Sequence, residues 1–260
     1  MQQFKALFLK EWRESVRSFK IVWIPLVFIL LGISDPLVNY YMDDILKAVG
    51  NMPEGFMMTM PEFQPADLLM ASTGQFQSIG LLVLIVAYIG TFSRERQNGT
   101  ATLIYVRPVS FTAMYVSKWM VASIVAILSA IAGYAGSMYY TALLYGTVDW
   151  GKFFAMLGTY CIWLLFVMAV TVAMSAAFKT SIAATVTIII VPFGMLIDAL
   201  IGSFWEVTPW KLANYGVALL TDSVLMKTYW FTIVIVAGLT ILSIVVGIVM
   251  SKKNMHQLKI

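Results

Sequence analysis

Six long apolar runs dominate the chain and predict six membrane-spanning helices in an all-α polytopic membrane protein. They cover about residues 21–41, 76–93, 119–140, 153–178, 182–203 and 229–250. Each is close to the roughly 20 apolar residues that a helix needs to cross the hydrocarbon core. We expect kinks at Ser34-Asp35-Pro36 and at Pro192, because proline removes a helical hydrogen bond. Ser34-Asp35-Pro36 is also expected to cap and start a new helix.

The first 20 residues predict an amphipathic helix that lies at the membrane surface and leads into the first span. On a helical wheel, one side carries Phe4, Leu7, Phe8, Trp12, Val16 and Phe19, and the other carries Lys10, Arg13, Arg17 and Lys20. Lys5 and Glu11 fall on the apolar side. The alternative is an ordinary positively charged flank of the first span.

Two connections on the opposite side of the membrane are long enough to have structure of their own. The first, predicted as an outer loop over 42–75, is rich in methionine and contains Met52, Met57, Met58, Met60 and Met70. Their thioethers suit either Cu(I) or packing against membrane and partner surfaces. The second, 204–228, is half apolar and rich in aromatics, which is typical of an interfacial or re-entrant segment, although an ordered loop also fits.

The distribution of positive charge predicts the orientation. Of the 17 Lys and Arg residues, 13 fall on the side that holds both termini. The positive-inside rule therefore places both termini in the cytoplasm of a bacterial cell, with the chain in its plasma membrane. Because the basic residues lie in short loops beside apolar runs, the net charge of +4 does not indicate nucleic-acid binding.

Composition argues against an enzyme and against a separate soluble domain. The chain is 60% apolar and only 12% charged, and its single His256 and single Cys161 provide no metal cluster or catalytic pair. It contains no G-x-x-x-x-G-K-[ST] sequence, so we expect no bound cofactor. The expected organisation is one transmembrane domain over 1–260.

The predicted cytoplasmic loop 94–110 has the features of a docking element. Thr100 suits a helix cap, and the apolar Leu103, Ile104 and Val106 would be costly to expose to water. Pro108 ends such a helix before Ser110 caps the next one. A cytoplasmic partner or the membrane surface would each cover these side chains.

The loop resembles the E-x-x-x-G-T…P-[VI]-S…K pattern of type 2 ATP-binding-cassette (ABC-2) transporter permeases. The matching residues are Glu95, Gly99, Thr100, Pro108, Val109, Ser110, Ser117 and Lys118. The predicted layout is similar to that family over the whole chain: six spans, an amphipathic leader, a large first outer loop and a re-entrant-like segment before the last span.

The resemblance implies a permease subunit, expected to be an exporter, whose partner ATPase binds ATP and Mg. The segment 94–110 would be the coupling element, with contacts to the ATPase through Glu95, Gly99, Thr100, Leu103, Ile104 and Pro108. Arg94 and Arg96 would help Glu95 to hold this segment to the second span. A second permease, identical or paralogous, would complete the path.

Asp35 and Asp198 are the acidic residues inside the apolar runs. At 1.5 Å per residue they lie roughly 22 Å and 28 Å from the cytoplasmic ends of their spans, near the outer surface. They are candidates for the translocation path, or else local helix caps. An ion-coupled transporter with these two residues as proton carriers, and a non-transporting membrane anchor, remain alternatives.

Overall fold

The computed structural model describes residues 2–49, 63–99 and 110–256, and these ranges are helical without a strand. They contain six helices long and apolar enough to cross a membrane, which confirms the predicted number. We call them spans 1 to 6: Lys20–Tyr40, Pro65–Gln97, Phe111–Leu144, Trp150–Ala177, Thr180–Phe204 and Met226–Asn254. Helix α1 (Gln2–Arg17) precedes span 1, helix α2 (Met42–Val49) follows it, and helix α3 (Leu212–Ala218) precedes span 6.

Spans 1 and 3 pack against each other along much of their length, as do spans 4 and 6. Spans 1 and 3 lie in close contact at two glycines, since a Cβ added to Gly32 would overlap the carbonyl oxygen of Gly133. Gly133 belongs to the spacing of Ser129, Gly133 and Ser137 in the sequence, which is typical of close helix contacts. The structure shows that this contact forms within one chain.

Span 2 begins at Pro65, earlier than the predicted start at residue 76. Pro65 is the first helical residue, and the Asp67 carboxylate accepts a hydrogen bond from the backbone N–H of Gln64 at 2.9 Å. The first turns are polar, but Ser72 and Thr73 are buried and their hydroxyls are hydrogen-bonded to span 3. The connection between spans 1 and 2 is therefore shorter than the predicted 42–75.

The prolines have different effects. The prediction that Ser34-Asp35-Pro36 starts a new helix is wrong, because span 1 is helical from Lys20 to Tyr40. Pro36 leaves the carbonyl of Gly32 without its usual partner, and the Ser72 hydroxyl donates to that carbonyl at 3.4 Å. At Pro192 the α-helix is interrupted, as predicted, by a π-helical turn at Ile189–Phe193.

The segment 204–228 folds back onto the bundle. Helix α3 contacts span 4 and the first turns of span 2, and its Leu212, Ala213 and Val217 are buried. The indole N–H of Trp210 donates to the carbonyl of Ile190, inside the π-helical turn of span 5, at 2.8 Å. Because the segment is anchored at both sites, it is an ordered part of the bundle; its position relative to a bilayer stays a prediction.

Candidate functional site

Four charged side chains from three elements form a closed network at the end of the bundle that holds α1, which we call the α1 end. Lys118, in span 3, places its Nζ 2.8 Å from Glu11 Oε1 of α1 and 2.9 Å from Glu95 Oε1 of span 2. Lys10 binds the same two oxygens at 3.0 Å and 2.7 Å. We call these four residues the charge network.

The charge network explains why an acid lies on the apolar side of α1. Leu7, Glu11 and Ser15 are four residues apart and so share one face of the helix. Glu11 and Ser15 are buried, and α1 packs against span 3. Glu11 therefore points at Lys118, which is itself only 2% exposed. Phe4, Phe8 and Trp12 form a row of neighbouring rings along α1.

The network keeps Lys10 charged. Burial alone lowers the pKa of Lys10, but the Glu11 and Glu95 carboxylates outweigh this and raise it above the ordinary lysine value. Lys118 also lies over the Phe92 ring, with Nζ 5.3 Å from its centroid, a second favourable environment for a cation. Since each carboxylate oxygen binds two ammonium groups, the charges of the four residues balance.

Arg96, one residue beyond Glu95, binds a different element. Its guanidinium donates to the carbonyls of Ala176, Ser175 and Phe178 at 2.6, 2.8 and 2.6 Å. The Asn254 amide, from the end of span 6, donates to the carbonyls of Ala176 and Ala177. The last carbonyls of a helix have no partners within it, so these two side chains cap span 4 and attach spans 2 and 6 to it.

Ser93 connects span 2 to spans 4 and 5. Its backbone N–H donates to the Ser175 hydroxyl at 3.3 Å, and its own hydroxyl lies 2.7 Å from that of Thr180, the first residue of span 5. The last turns of span 2 are thus linked by side chains to α1 and to spans 3, 4 and 5.

A cavity of about 510 Å³ adjoins the charge network. Apart from those four residues it is lined by Glu14, Ser15, Lys20, Ala87, Tyr88, Gly90, Thr91, Arg94 and Asn98. Lys20 Nζ lies 4.7 Å from the centroid of the Tyr88 ring. Glu11, Glu14 and Glu95 have carboxylate oxygens within 4.8 Å of one another, but Lys10 and Lys118 already bind two of these groups, so the cluster does not favour a metal ion.

The structure shows part of the predicted coupling segment. Glu95 lies in the charge network, and Gly99 has a φ of +69°, a left-handed conformation that favours glycine and turns the chain just after the last helical residue, Gln97. The other candidates of this segment, Thr100, Leu103, Ile104 and Pro108, lie outside the described residues.

Asp35 and Asp198 have separate local partners near the opposite end of the bundle. Asp35 Oδ1 accepts a hydrogen bond from the Gln75 amide at 2.7 Å. Asp198 is buried, and its Oδ1 accepts bonds from the Trp205 indole at 2.9 Å and the Thr208 hydroxyl at 2.8 Å. These partners hold the turn after span 5, which favours a local cap for Asp198.

Sequence reasoning missed the partners of Glu95. Lys118 was recognised only as part of a motif, and Glu11 only as an exception to the apolar side of α1. An acid on an apolar helix face and a lysine eight residues into a span are each costly alone. Glu11 and Lys118 each need a nearby residue of opposite charge. They are 107 positions apart in the chain, so their spacing does not show that they form a pair.

This geometry defines a polytopic helical membrane protein with a polar junction at one end of its bundle. A family model described as ABC-2 family transporter protein matches residues 16–197. The uncharacterized transmembrane protein YxlG of Bacillus subtilis (strain 168) is 33% identical over 180 residues, which cover 69% of this chain and 70% of that protein.

The chain belongs to the ABC-2 transporter family. It is therefore a multi-pass permease component of an ABC transporter, in the plasma membrane of a bacterium. The family supplies the membrane part of such transporters, and membership implies association with an ABC ATPase.

Proposed function

We propose that this chain is the permease of an ATP-driven exporter, that its α1 end faces the cytoplasm, and that a separate ATPase docks on residues 94–110. ATP and Mg bind to that ATPase. The charge network carries the proposal, because it fixes the chain at the beginning of the segment, at Glu95, and again soon after its end, at Lys118. Glu95 lies four residues before Gly99, and Lys118 follows the segment in span 3. Glu95 binds Lys10 of α1, Lys118 binds Glu11 of α1, and the two also bind each other.

The same junction offers a route from the ATPase to the spans. A displacement of the segment pulls on span 2 and span 3 directly, and on α1 through the charge network. Arg96 carries it to the end of span 4, where Asn254 attaches span 6. Closure of the ATPase would thereby favour one of two packings of the spans, which is how a bound partner changes a conformational equilibrium.

Of the two candidates for the translocation path, Asp35 has the stronger support. Its Oδ2 is buried and has no hydrogen-bond partner among the described residues, whereas Oδ1 is held by Gln75. An unused acceptor at this depth suits contact with cargo or with an outer gate. Asp198 instead is bound to Trp205 and Thr208.

A second permease, identical or paralogous, would complete the path. In the most apolar stretch of spans 1 and 5 only 22% of the residues are buried within the chain, and in span 6 only 11%, so these three spans have apolar surface available to lipid or to another permease. Membership of the ABC-2 family favours this ATP-driven arrangement over an ion-coupled transporter and over a passive anchor.

The test is to purify the tagged chain gently from its native membrane and to measure vanadate-sensitive ATP hydrolysis with and without the protein that co-purifies. We expect an ATPase whose hydrolysis depends on this chain. Gly99→Pro and Leu103→Glu should uncouple hydrolysis while the chain stays in the membrane. Leu225→Glu is the matched control, since Leu225 is 70% exposed in the connection before span 6.

Two outcomes would contradict the proposal. Purification of a stable chain without any ATPase would argue for an anchor or an ion-coupled transporter. Normal ATPase binding and normal coupling in both Gly99→Pro and Leu103→Glu would remove the coupling role from this segment.

A further inference from the structure

The cavity beside the charge network contains two cations that the network does not neutralise. Lys20 and Arg94 both line it, and neither forms an ion pair with any residue that the structure describes. Lys10 and Lys118, in contrast, are each bound to two carboxylates. Unpaired positive charge inside a cavity attracts an anionic ligand.

The fold directs Arg94 into the cavity. A Cβ built on Gly90 would lie 2.5 to 2.9 Å from Nε, Cδ and Cγ of Arg94, so the arginine stem lies in the space that a side chain at position 90 would fill. Lys20 is held over the Tyr88 ring in the same cavity. Two cations are thus placed by separate features of the fold, and neither forms an ion pair with an acidic side chain in the described part of the chain.

The site lies where lipid headgroups would be. Lys20 is the first residue of span 1, and Arg94 lies three residues before the last residue of span 2, so both are at a membrane boundary. Next to Lys20, the side chains of Phe19 and Val22 are 68% and 59% exposed, and Trp23 is 38% exposed. An exposed tryptophan with apolar neighbours is typical of the headgroup level, where acyl chains begin.

We propose that this cavity binds the phosphate group of an anionic phospholipid, with Lys20 and Arg94 as its ligands. Arginine and lysine are the usual donors to phosphate oxygens. Glu14 also faces the cavity. Because the charge network is neutral, Lys20, Arg94 and Glu14 together give the cavity one net positive charge. A phosphodiester carries one negative charge, whereas a phosphomonoester carries about 1.5 to 2, so the charge balance favours the diester of a lipid such as phosphatidylglycerol. The inference requires only that the chain spans a membrane, and it is independent of the ATPase.

The experiment titrates phosphatidylglycerol into the full-length protein, with its partner if one co-purifies, in phosphatidylcholine nanodiscs, and counts bound lipid by native mass spectrometry. We expect Lys20→Gln and Arg94→Gln each to weaken binding about fivefold, and the double variant roughly 30-fold, from the contribution of one basic residue near an anionic headgroup. Glu14→Gln should strengthen binding, because it removes a repulsive charge. Lys252→Gln, which changes an exposed cation in the last turn of span 6, is the matched control and should change nothing.

The Glu14→Gln variant and a competition with the free headgroup distinguish the possible outcomes. Stronger binding by Glu14→Gln cannot arise from misfolding, so it keeps the test valid if the double variant is unstable. Glycerophosphoglycerol, the headgroup without acyl chains, should not displace the lipid at millimolar concentration; displacement would reassign the cavity to a soluble phosphodiester. Equal lipid binding by the native chain, the double variant and Glu14→Gln would refute the site.

Discussion

Removal of the Lys118 ammonium gives the sharpest test of the charge network. The Lys118 side chain is 1% exposed, and Nζ lies 2.8 and 2.9 Å from two carboxylates of low exposure. In Lys118→Met the apolar stem stays, but Glu11 and Glu95 lose their buried partner. Breaking a buried ion pair costs about 3 to 5 kcal/mol. Since Lys10 still binds both carboxylates, we expect a loss near the lower limit, about 3 kcal/mol.

Lys10→Met is the matched control. Its side chain is 41% exposed, so the pair energy is screened by solvent and the expected loss is at most about 1 kcal/mol. The pKa of Lys10 is raised, so its contribution is complete below the ordinary lysine value of 10.5 and fades only as the pH rises through the higher folded-state pKa. The effect of Lys10→Met should therefore be constant at neutral and mildly alkaline pH.

The assay is the free energy of unfolding in one detergent, from denaturant titration of the native chain, both single variants and the double variant Lys118→Met/Glu11→Gln. We expect the double variant to be more stable than Lys118→Met, because the change to Gln removes a carboxylate that has lost its buried partner. Equal losses for Lys118→Met and Lys10→Met, or no recovery in the double variant, would refute the assignment of Lys118 as the buried centre.

Three further predictions follow from the packing and the topology. Gly32→Ala should lower the free energy of unfolding by about 1 to 3 kcal/mol, because the added Cβ overlaps the backbone of span 3. The control Gly158→Ala places its Cβ in open space and should be neutral or stabilising by up to about 1 kcal/mol. Equal stabilities of the two variants would contradict the close approach. Arg96→Lys should lower the free energy of unfolding by about 1 to 3 kcal/mol in the same assay, since one ammonium cannot replace a guanidinium that binds three carbonyls. An unchanged stability would show that this cap of span 4 contributes nothing. Single cysteines are placed at Lys227 and Lys253 in a background without the native cysteine. On intact cells an impermeant reagent should label only position 227. Labelling at position 253 would show that the chain has the opposite orientation.

The number of spans followed from the sequence because each apolar run is long enough to cross a membrane on its own. The start of span 2 did not, since Ser72, Thr73 and Gln75 lower the apolarity of its first turns. Their hydrogen bonds to Ser137, Tyr134 and Asp35 form only after spans 1 and 3 have packed beside them. Hydropathy is local, whereas the satisfaction of a buried polar group depends on residues far along the chain.

The same limit applies to the site. Glu95 was predicted from a motif, and the structure adds its partners, which come from α1 and from span 3. Leu103 and Ile104, the apolar side chains proposed to contact the ATPase, follow Gly99 in the sequence, and their docking role is inferred from their apolar character and from the family. That Lys20 and Arg94 form no ion pair with the described residues could not be foreseen, because sequence does not show which cations lie within bonding distance of an acid.

The distribution of these links indicates which part of the bundle is freest to move. At the α1 end, side chains connect span 2 to α1 and to spans 3 and 4, and Asn254 adds span 6. Span 5 is linked there through Thr180, its first residue, and its middle is interrupted by the π-helical turn, whose Ile190 carbonyl is held by Trp210. A π-helical turn is a frequent site of functional bending. If closure of the ATPase moves the linked elements together, we expect span 5 to bend at Ile189–Phe193, so that the motion reaches the half of span 5 farther from the α1 end and the segment that follows.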